Sequence, residues 1–221
     1  MARIERVVVP GFPHHIPQRG NRRQEVFFRS SDYQFYLELL KEWCAKEGVK
    51  IWAYCLMTNP VHLIVKPVEN SDLSKAIGET HRRYTRMINF RENWRGYLWQ
   101  GRFASFVMDE NWLLRALAYV ELNPVEAGMV ENAWDYPWSS VHAHLSGEDP
   151  QGIVDTEALQ GLIGDWKSYL LSARGADNAD FQQHARTGRP LGNERFLGMA
   201  EKRLMRDLRK KKPGPKPKEQ N

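Results

Sequence analysis

The strongest constraint on the fold comes from residues 53–67, where two apolar runs flank a Thr58-Asn59-Pro60 turn. This composition predicts two strands joined by a tight connection. Because side chains alternate between the faces of a strand, His62 should lie on the face opposite Val61 and Leu63. A histidine in an apolar strand is either a hydrogen-bonded core residue or a functional group. The strand alone leaves both interpretations open.

A second informative segment, residues 112–125, repeats apolar residues at helical spacing and follows Asp109, a residue suited to an N-cap. Pro124 disfavours helical geometry at the residue before it, which predicts that this helix ends near Asn123. Tyr119 and Asn123 are four residues apart and should share one face. Tyrosine is a common core residue and asparagine a common cap, so spacing alone assigns neither a function.

Four blocks of sequence, read together, carry a resemblance to a known family: residues 13–23, 54–63, 98–103 and 119–130. The chain resembles REP-associated tyrosine transposases, bacterial relatives of the insertion-sequence transposases that carry an HUH motif and one catalytic tyrosine. The resemblance covers nearly the whole chain. It implies an enzyme that nicks and rejoins single-stranded DNA at REP-like palindromic hairpins through a covalent 5′-phosphotyrosine. It also implies Mg²⁺ or Mn²⁺ as cofactor.

The resemblance assigns roles to residues at the matching positions. It implies that Tyr119 is the nucleophile and that His62 is a metal ligand. Asn123 occupies the position of the family's third metal ligand, and we expect it either to bind the metal ion or to act as a positioning residue. The family's strand motif is His-hydrophobic-His, whereas this chain has Pro60 at the first position. Proline has no metal-binding atom in its ring, so half of the histidine pair is missing.

Three outcomes of the Pro60 substitution stay open. The site could work with a weakly held cation that keeps extra water ligands. His14 or His15 could replace the missing ligand from an adjacent strand, although neighbouring residues of a strand face opposite ways. Alternatively, the protein binds hairpins without cutting them.

The order of predicted elements indicates an α+β fold. Strand-helix-strand-strand-helix-strand is the ferredoxin-like order, an antiparallel sheet with helices on one face. A helical C-terminal extension and a basic tail follow. We expect a transposase domain at 1–133, a helical extension at 134–192 and a basic helix with a flexible tail at 193–221. The elements are expected at about 30–48, 72–89 and 193–210 for helices and at 49–58, 61–67 and 103–108 for strands, after an extended segment that continues to Ile16 and with a link at 174–180.

Positive charge is concentrated at the C-terminus. The net charge is +5, yet residues 202–221 hold nine Lys or Arg against two acidic residues, which leaves −2 for the rest. Such a run predicts an arm that contacts nucleic-acid phosphates, with a solubilising tail as the alternative. Arginines elsewhere have a solvated surface as their alternative role. The candidate DNA-binding residues are Arg19, Arg22, Arg23, Arg82, Arg83, Arg86, Arg102, Lys210, Lys211 and Lys212.

Other features narrow the class of protein. The only cysteines, Cys44 and Cys55, lie in an expected helix and strand and give no disulfide pattern, which favours the cytoplasm. No segment is apolar enough to span a membrane, so no membrane partner is expected. Two alternatives to the nicking enzyme remain: a catalytically impaired hairpin-binding protein and a ferredoxin-like RNA-binding module. The sequence leaves open whether the protein is a monomer or a homodimer.

Overall fold

The structure is a computed structural model that describes residues 4–159 and 161–209. The strands and helices follow in the order β1 (His14–Gln18), α1 (Ser30–Lys46), β2 (Val49–Leu56), β3 (Val61–Pro67), α2 (Leu73–Arg91), β4 (Phe106–Val107), α3 (Glu110–Glu126), α4 (Val141–Ser146), α5 (Trp166–Ser172), α6 (Ala179–Thr187) and α7 (Glu194–Leu204). Lys210, Lys211 and Lys212, predicted to contact DNA, lie outside the described residues.

The four strands form one antiparallel sheet in the order β2-β3-β1-β4. This is the ferredoxin-like arrangement predicted from the element order, with β1 and the His62-bearing β3 at the centre. Helices α1 and α2 pack on one face of the sheet. Helix α3 and the helical extension cover the other face. The α+β fold class is therefore confirmed, and helices cover both faces of the sheet once α3 is included.

The alternation predicted for β3 decides what each face of the sheet carries. Val61, Leu63 and Val65 are buried in the core shared with α1 and α2. Ile64 is buried in the core shared with α3. His62 points to the same side as Ile64 and contacts α3. The sheet therefore presents its histidine to the tyrosine helix because of the two-residue repeat of the strand.

Helices α2 and α3 begin where short acidic side chains satisfy free backbone N–H groups. The carboxylate of Asp72 accepts a hydrogen bond from the backbone of Lys75 at 2.8 Å. The carboxylate of Asp109 accepts one from the backbone of Trp112 at 3.1 Å. These N-caps agree with the predicted helix starts, since an aspartate at this position stabilises a helix by about 1 kcal/mol.

The end of α3 differs from the prediction. The helix continues through Pro124 to Glu126, and the backbone of Ala127 still donates to the carbonyl of Asn123 at 2.9 Å. Pro124 lacks an N–H group and so removes one helical hydrogen bond. Its ring is buried together with Leu122, and this packing outweighs the local preference. The predicted end near Asn123 was three residues too early.

Two other boundaries also differ from the predictions. Strand β4 contains only Phe106 and Val107 rather than residues 103–108. Residues 179–187, next to the predicted link, form α6. The polar composition of this segment concealed the helix, because its main buried contact is the single side chain of Phe181. The extension that contains α6 shares a continuous core with α3 and the sheet.

The described residues contain no helix long and apolar enough to cross a bilayer. Cys44 and Cys55 are both buried and unbridged. These findings agree with the absence of a disulfide pattern in the sequence.

A buried histidine on α2 predicts a dependence of stability on pH. Burial lowers the pKa of His81 from 6.5 to about 3, and its Nε2 atom lies 3.0 Å from the Tyr36 hydroxyl. Between these two pH values the unfolded chain binds a proton that the folded protein excludes. The free energy of unfolding should therefore fall with decreasing pH, by at most about 1.4 kcal/mol per pH unit from this residue.

Urea denaturation between pH 7 and pH 5 measures this slope. His81→Gln should flatten it, whereas His142→Gln, at an exposed histidine on α4, should leave it unchanged. Equal slopes in wild type and His81→Gln would show that His81 is already protonated in the folded protein.

Candidate active site

Three side chains from three elements meet on the α3 side of the sheet. His15 on β1 and His62 on β3 lie with Nε2 and Nδ1 3.1 Å apart and with their rings stacked, centroid to centroid 5.3 Å. The ring of Tyr119 on α3 stands edge-on to both, 5.6 Å from His15 and 5.5 Å from His62. The predicted pairing of Tyr119 with His62 is therefore present within one chain.

The register of β1 against β3 explains the contact between the histidines. His15 pairs with Ile64, and Pro17 pairs with His62. The two histidines are therefore diagonal neighbours on one face of an antiparallel pair, where side chains reach each other. No local sequence motif predicts this contact, because it joins residues that are 47 positions apart.

Both histidines are held in the neutral form. Burial, with the positive charge of Arg19 as a smaller cause, lowers the pKa of His62 to about 3. Burial also lowers the pKa of His15, with the neighbouring His62 as a smaller cause. One ring therefore donates an N–H to a lone pair of the other. Neutral imidazole is also the form of histidine that binds metals.

The surroundings of Tyr119 act on its hydroxyl in opposite directions. Burial raises the pKa of Tyr119, while the charge of Arg19 and a hydrogen bond from the Asn123 side chain lower it. The Asn123 amide also donates to the backbone carbonyl of Tyr119 at 2.6 Å. The Phe181 ring on α6 stacks on the other side of Tyr119 at 4.9 Å. Asn123 thus contacts the tyrosine directly, as a positioning residue would.

The cluster opens into a cavity of about 530 Å³. Arg19, Arg102 and Arg186 line this cavity, and among the described residues no carboxylate lines it. A lining with arginines and without carboxylates attracts a polyanion and repels a positively charged ligand. Arg19 and Arg102 were predicted from the sequence. Arg186 was not among the predicted residues. It lies on α6, a helix that the sequence did not predict, and nothing but its positive charge marked it.

The cavity contains two histidine side chains that could ligate a metal ion, and no larger set of such groups among the described residues. In residues 4–159 and 161–209 no group of three His, Cys, Asp or Glu side chains is placed to hold an ion. Two neutral imidazoles 3.1 Å apart are present. His15 Nδ1 is a buried nitrogen without a hydrogen-bond partner among the described residues. An ion bound here would replace the hydrogen bond between the two rings and take one nitrogen from each, and its other ligands would come from water or DNA.

The second candidate substitute, His14, lies on the opposite face of β1. Its Nδ1 donates to the carbonyl of Phe12 at 2.8 Å, and its Nε2 accepts from the backbone of Val9 at 3.1 Å. Burial lowers the pKa of His14 to about 4. Both ring nitrogens are therefore occupied by the backbone. The structure brings His15, and not His14, to Tyr119.

The other predicted DNA-binding arginines fall into two groups. Arg82 and Arg83 on α2 both pair with Glu79, and Arg83 also lies 4.7 Å above the ring of Trp43. These contacts indicate a charged helix surface. Arg22, Arg23 and Arg86 are exposed, and in the described part of the chain none of the three pairs with a carboxylate.

A buried polar cluster attaches the tyrosine helix to the extension. One carboxylate oxygen of Glu121 accepts a hydrogen bond from Ser140 at 2.8 Å and lies 2.5 Å from Nδ1 of His144. The other oxygen accepts from the indole of Trp166 at 2.7 Å. The second ring nitrogen of His144 faces the carbonyl of Trp52 at 3.0 Å. Both ring nitrogens of His144 therefore face hydrogen-bond acceptors, and His144 joins Glu121 on α3 to Trp52 on β2.

Comparison with known proteins identifies the family to which this chain belongs. The family model described as "Transposase IS200 like" matches residues 9–123, slightly more than half of the chain. The chain belongs to this IS200-like transposase family. The match spans β1 through the tyrosine helix, and so includes His15, His62, Tyr119 and Asn123.

Individual relatives agree with the family. A REP-associated tyrosine transposase of Haemophilus influenzae is 29% identical over 119 residues, which cover 49% of this chain and 68% of that protein. A solved REP-associated tyrosine transposase, bound to a REP hairpin, superposes with a TM-score of 0.58 at 20% identity. The superposition covers 71% of this chain and 90% of that one. The structural likeness confirms the fold.

Breaking the Glu121 cluster should destabilise the whole protein. Glu121→Ala leaves Ser140, His144 and Trp166 without their shared acceptor, and each buried polar group left unpaired costs about 1–3 kcal/mol. Urea denaturation measures the loss. Glu131→Ala, at an exposed position in the loop after α3, provides the control and should change stability by less than about 0.5 kcal/mol. A similarly small effect of Glu121→Ala would show that the cluster contributes little to the attachment of α3.

Proposed function

We propose that this protein nicks single-stranded DNA at REP-like palindromic hairpins and transfers the strand through a 5′-phosphotyrosine on Tyr119. The observation that carries the proposal is the approach of Tyr119 to His62 in a basic cavity within one chain. Family membership supplies the reaction class. The REP hairpin in the related solved structure supports the choice of substrate. Because one chain holds both residues, the site needs no tyrosine from a second subunit.

In the proposed reaction the Tyr119 hydroxyl attacks phosphorus, and the bond from phosphorus to the 3′-oxygen breaks. The tyrosine proton is lost, and the 3′-oxygen leaves as a hydroxyl after gaining a proton. Arg19 favours the phenolate by its charge, and Asn123 favours it by hydrogen bonding. Phe181 shields the ring from water on one side. Reversal by a 3′-hydroxyl rejoins the strand, because the phosphotyrosine conserves the bond energy.

We propose that His15 replaces the histidine that Pro60 removes, so that His15 and His62 hold a divalent ion. A bound Mg²⁺ or Mn²⁺ would supply charge stabilisation to the phosphate in the displacement. Two imidazoles without a carboxylate make a weak site for such hard ions. This weakness is the observation that favours the second candidate, a hairpin-binding protein that does not cut.

The RNA-binding alternative receives less support from the fold. Ferredoxin-like RNA-binding modules present aromatic side chains on an open sheet face. Here α1 and α2 cover one face and α3 with its extension covers the other. The extension proposed from residue 134 contributes to the same cavity as the transposase domain, since Phe181 and Arg186 line it.

A covalent protein–DNA complex tests the nucleophile. Incubation of the protein with a labelled single-stranded palindrome and Mn²⁺ should give a complex that survives denaturation. Tyr119→Phe should abolish this complex, because phenylalanine lacks the attacking oxygen. Tyr54→Phe removes a hydroxyl from a tyrosine in the core on the α1 side of the sheet and should preserve the complex. If hairpin binding is intact but wild type forms no adduct, the non-cutting candidate is correct.

Replacements of the histidines test the ion site by direct binding. His15→Ala should weaken Mn²⁺ binding, measured from the electron paramagnetic resonance signal of unbound Mn²⁺, by on the order of tenfold or more. Pro60→His should strengthen it, and the double variant should recover much of the loss, because position 60 lies on the same face as His62. His142→Ala is the control for loss of an exposed histidine. Unchanged Mn²⁺ binding in His15→Ala would remove His15 from the site.

A further inference from the structure

Four aromatic rings are exposed on one region of the surface. The exposed fractions are 91% for Phe90, 85% for Tyr97, 45% for Trp94 and 38% for Phe28. All other large aromatic side chains in the described residues are more buried than these four. Phe90 lies at the end of α2, Trp94 and Tyr97 lie on the loop that follows it, and Phe28 lies just before α1. Large exposed aromatic groups that cluster in this way mark binding surfaces.

Two segments, 21–28 and 86–97, contact each other and together carry a surface here called the aromatic–basic patch. The patch comprises Phe28, Phe90, Trp94, Tyr97, Arg22, Arg23, Arg86 and Arg95. The rings of Phe28 and Trp94 lie edge to face at 5.5 Å. The amide of Asn21, next to Arg22, donates to the carbonyl of Tyr97 at 3.3 Å. Arg86 and Phe90 are four residues apart on α2 and therefore share a helix face.

The segments that carry the patch hold more positive than negative charge, with only Glu25 and Glu92 as acidic residues. Arg22, Arg23, Arg86 and Arg95 are exposed, and no carboxylate within the described ranges forms an ion pair with any of them. Arg91, at the base of the patch, is different because it pairs with the buried Asp32. Aromatic rings beside available guanidinium groups match the two components of single-stranded nucleic acid, bases that stack and phosphates that attract cations.

The patch is connected to the active-site cavity by two paired segments of backbone. Asn21 N donates to the carbonyl of Leu98 at 2.7 Å, and Gln100 N donates to the carbonyl of Arg19 at 2.9 Å. Arg19 and Gln100 line the cavity. Each segment therefore has one end at the patch and the other at the cavity. A strand that lies on the patch is directed by these segments toward Tyr119.

We infer that the aromatic–basic patch stacks the unpaired DNA bases next to the hairpin and leads that strand into the cavity. The inference rests on the proposed function and names the part of the DNA that this surface takes. Trp94 and Tyr97 carry the stacking, since they lie on the loop that leads back to the cavity. The neighbouring arginines contact the phosphates.

Binding of two DNA probes tests this assignment without cleavage. The probes are a labelled hairpin with an unpaired extension of about ten nucleotides, a length typical of single-strand sites, and the same hairpin with blunt ends. Tyr119→Phe protein is used without metal so that no adduct forms, and affinity is measured by fluorescence anisotropy. Failure of the strand-transfer proposal would appear only in the adduct assay, so the two outcomes are distinguishable.

In this background, Trp94→Ala and Tyr97→Ala should each weaken binding of the extended hairpin by about five- to a hundredfold, the usual range for loss of one stacked base. Binding of the blunt hairpin should not change. Tyr97→Phe should retain wild-type affinity, because the ring stacks without its hydroxyl. Leu171→Ala removes an exposed apolar side chain on α5 and is the control for general surface effects.

Salt dependence tests the role of the arginines. Arg95→Ala should reduce the dependence of the logarithm of affinity on the logarithm of salt concentration by about 0.7, the value for one single-strand phosphate contact. Equal losses on both probes, or no loss on either, would overturn the assignment. So would self-association of the DNA-free protein that disappears in Trp94→Ala, because the patch would then bind a second copy of the chain.

Discussion

The antiparallel pairing of β1 with β3 at the centre of the sheet is the constraint on which the site depends. This register places His15 diagonally opposite His62 and directs both rings toward α3. A slip of one residue would send the side chains of β1 to the other face of the sheet. His14 would then point at the tyrosine helix, and His15 would enter the core beneath α1 and α2. The buried apolar partners of both strands prevent that slip.

The pairing of the strands positions only the two histidines. The position of the tyrosine depends on how α3 is held against the sheet. Apolar burial is non-directional, whereas hydrogen bonds require particular positions of their atoms. Glu121, two residues after Tyr119, meets Ser140, His144 and Trp166 with directional bonds that hold for one position of the helix. Through these bonds the extension helps to hold Tyr119 in place beside the sheet, and it also completes the core.

The sequence was informative wherever a short-range pattern decided the structure. Alternation along β3 correctly gave the face of His62, and element order gave the sheet. The position of His15 depends on the register between strands that are distant in sequence. The sequence could therefore name His14 and His15 as candidates but could not choose between them. Helix α6, with Phe181 and Arg186, was missed because one buried ring gives no periodic signal. The continuation of α3 through Pro124 shows tertiary packing prevailing over a local preference.

The distribution of charge shows why net charge alone is a poor guide to where this protein would meet DNA. Outside residues 202–221 the chain has a net charge of −2. Even so, three arginines line the cavity without a carboxylate among its described lining. Acidic side chains elsewhere form ion pairs with arginines that do not line the cavity, such as Asp32 with Arg91 and Glu79 with Arg82. Because salt screens charges beyond about 8–10 Å, the local excess acts on a bound strand more strongly than the distant acidic surface does.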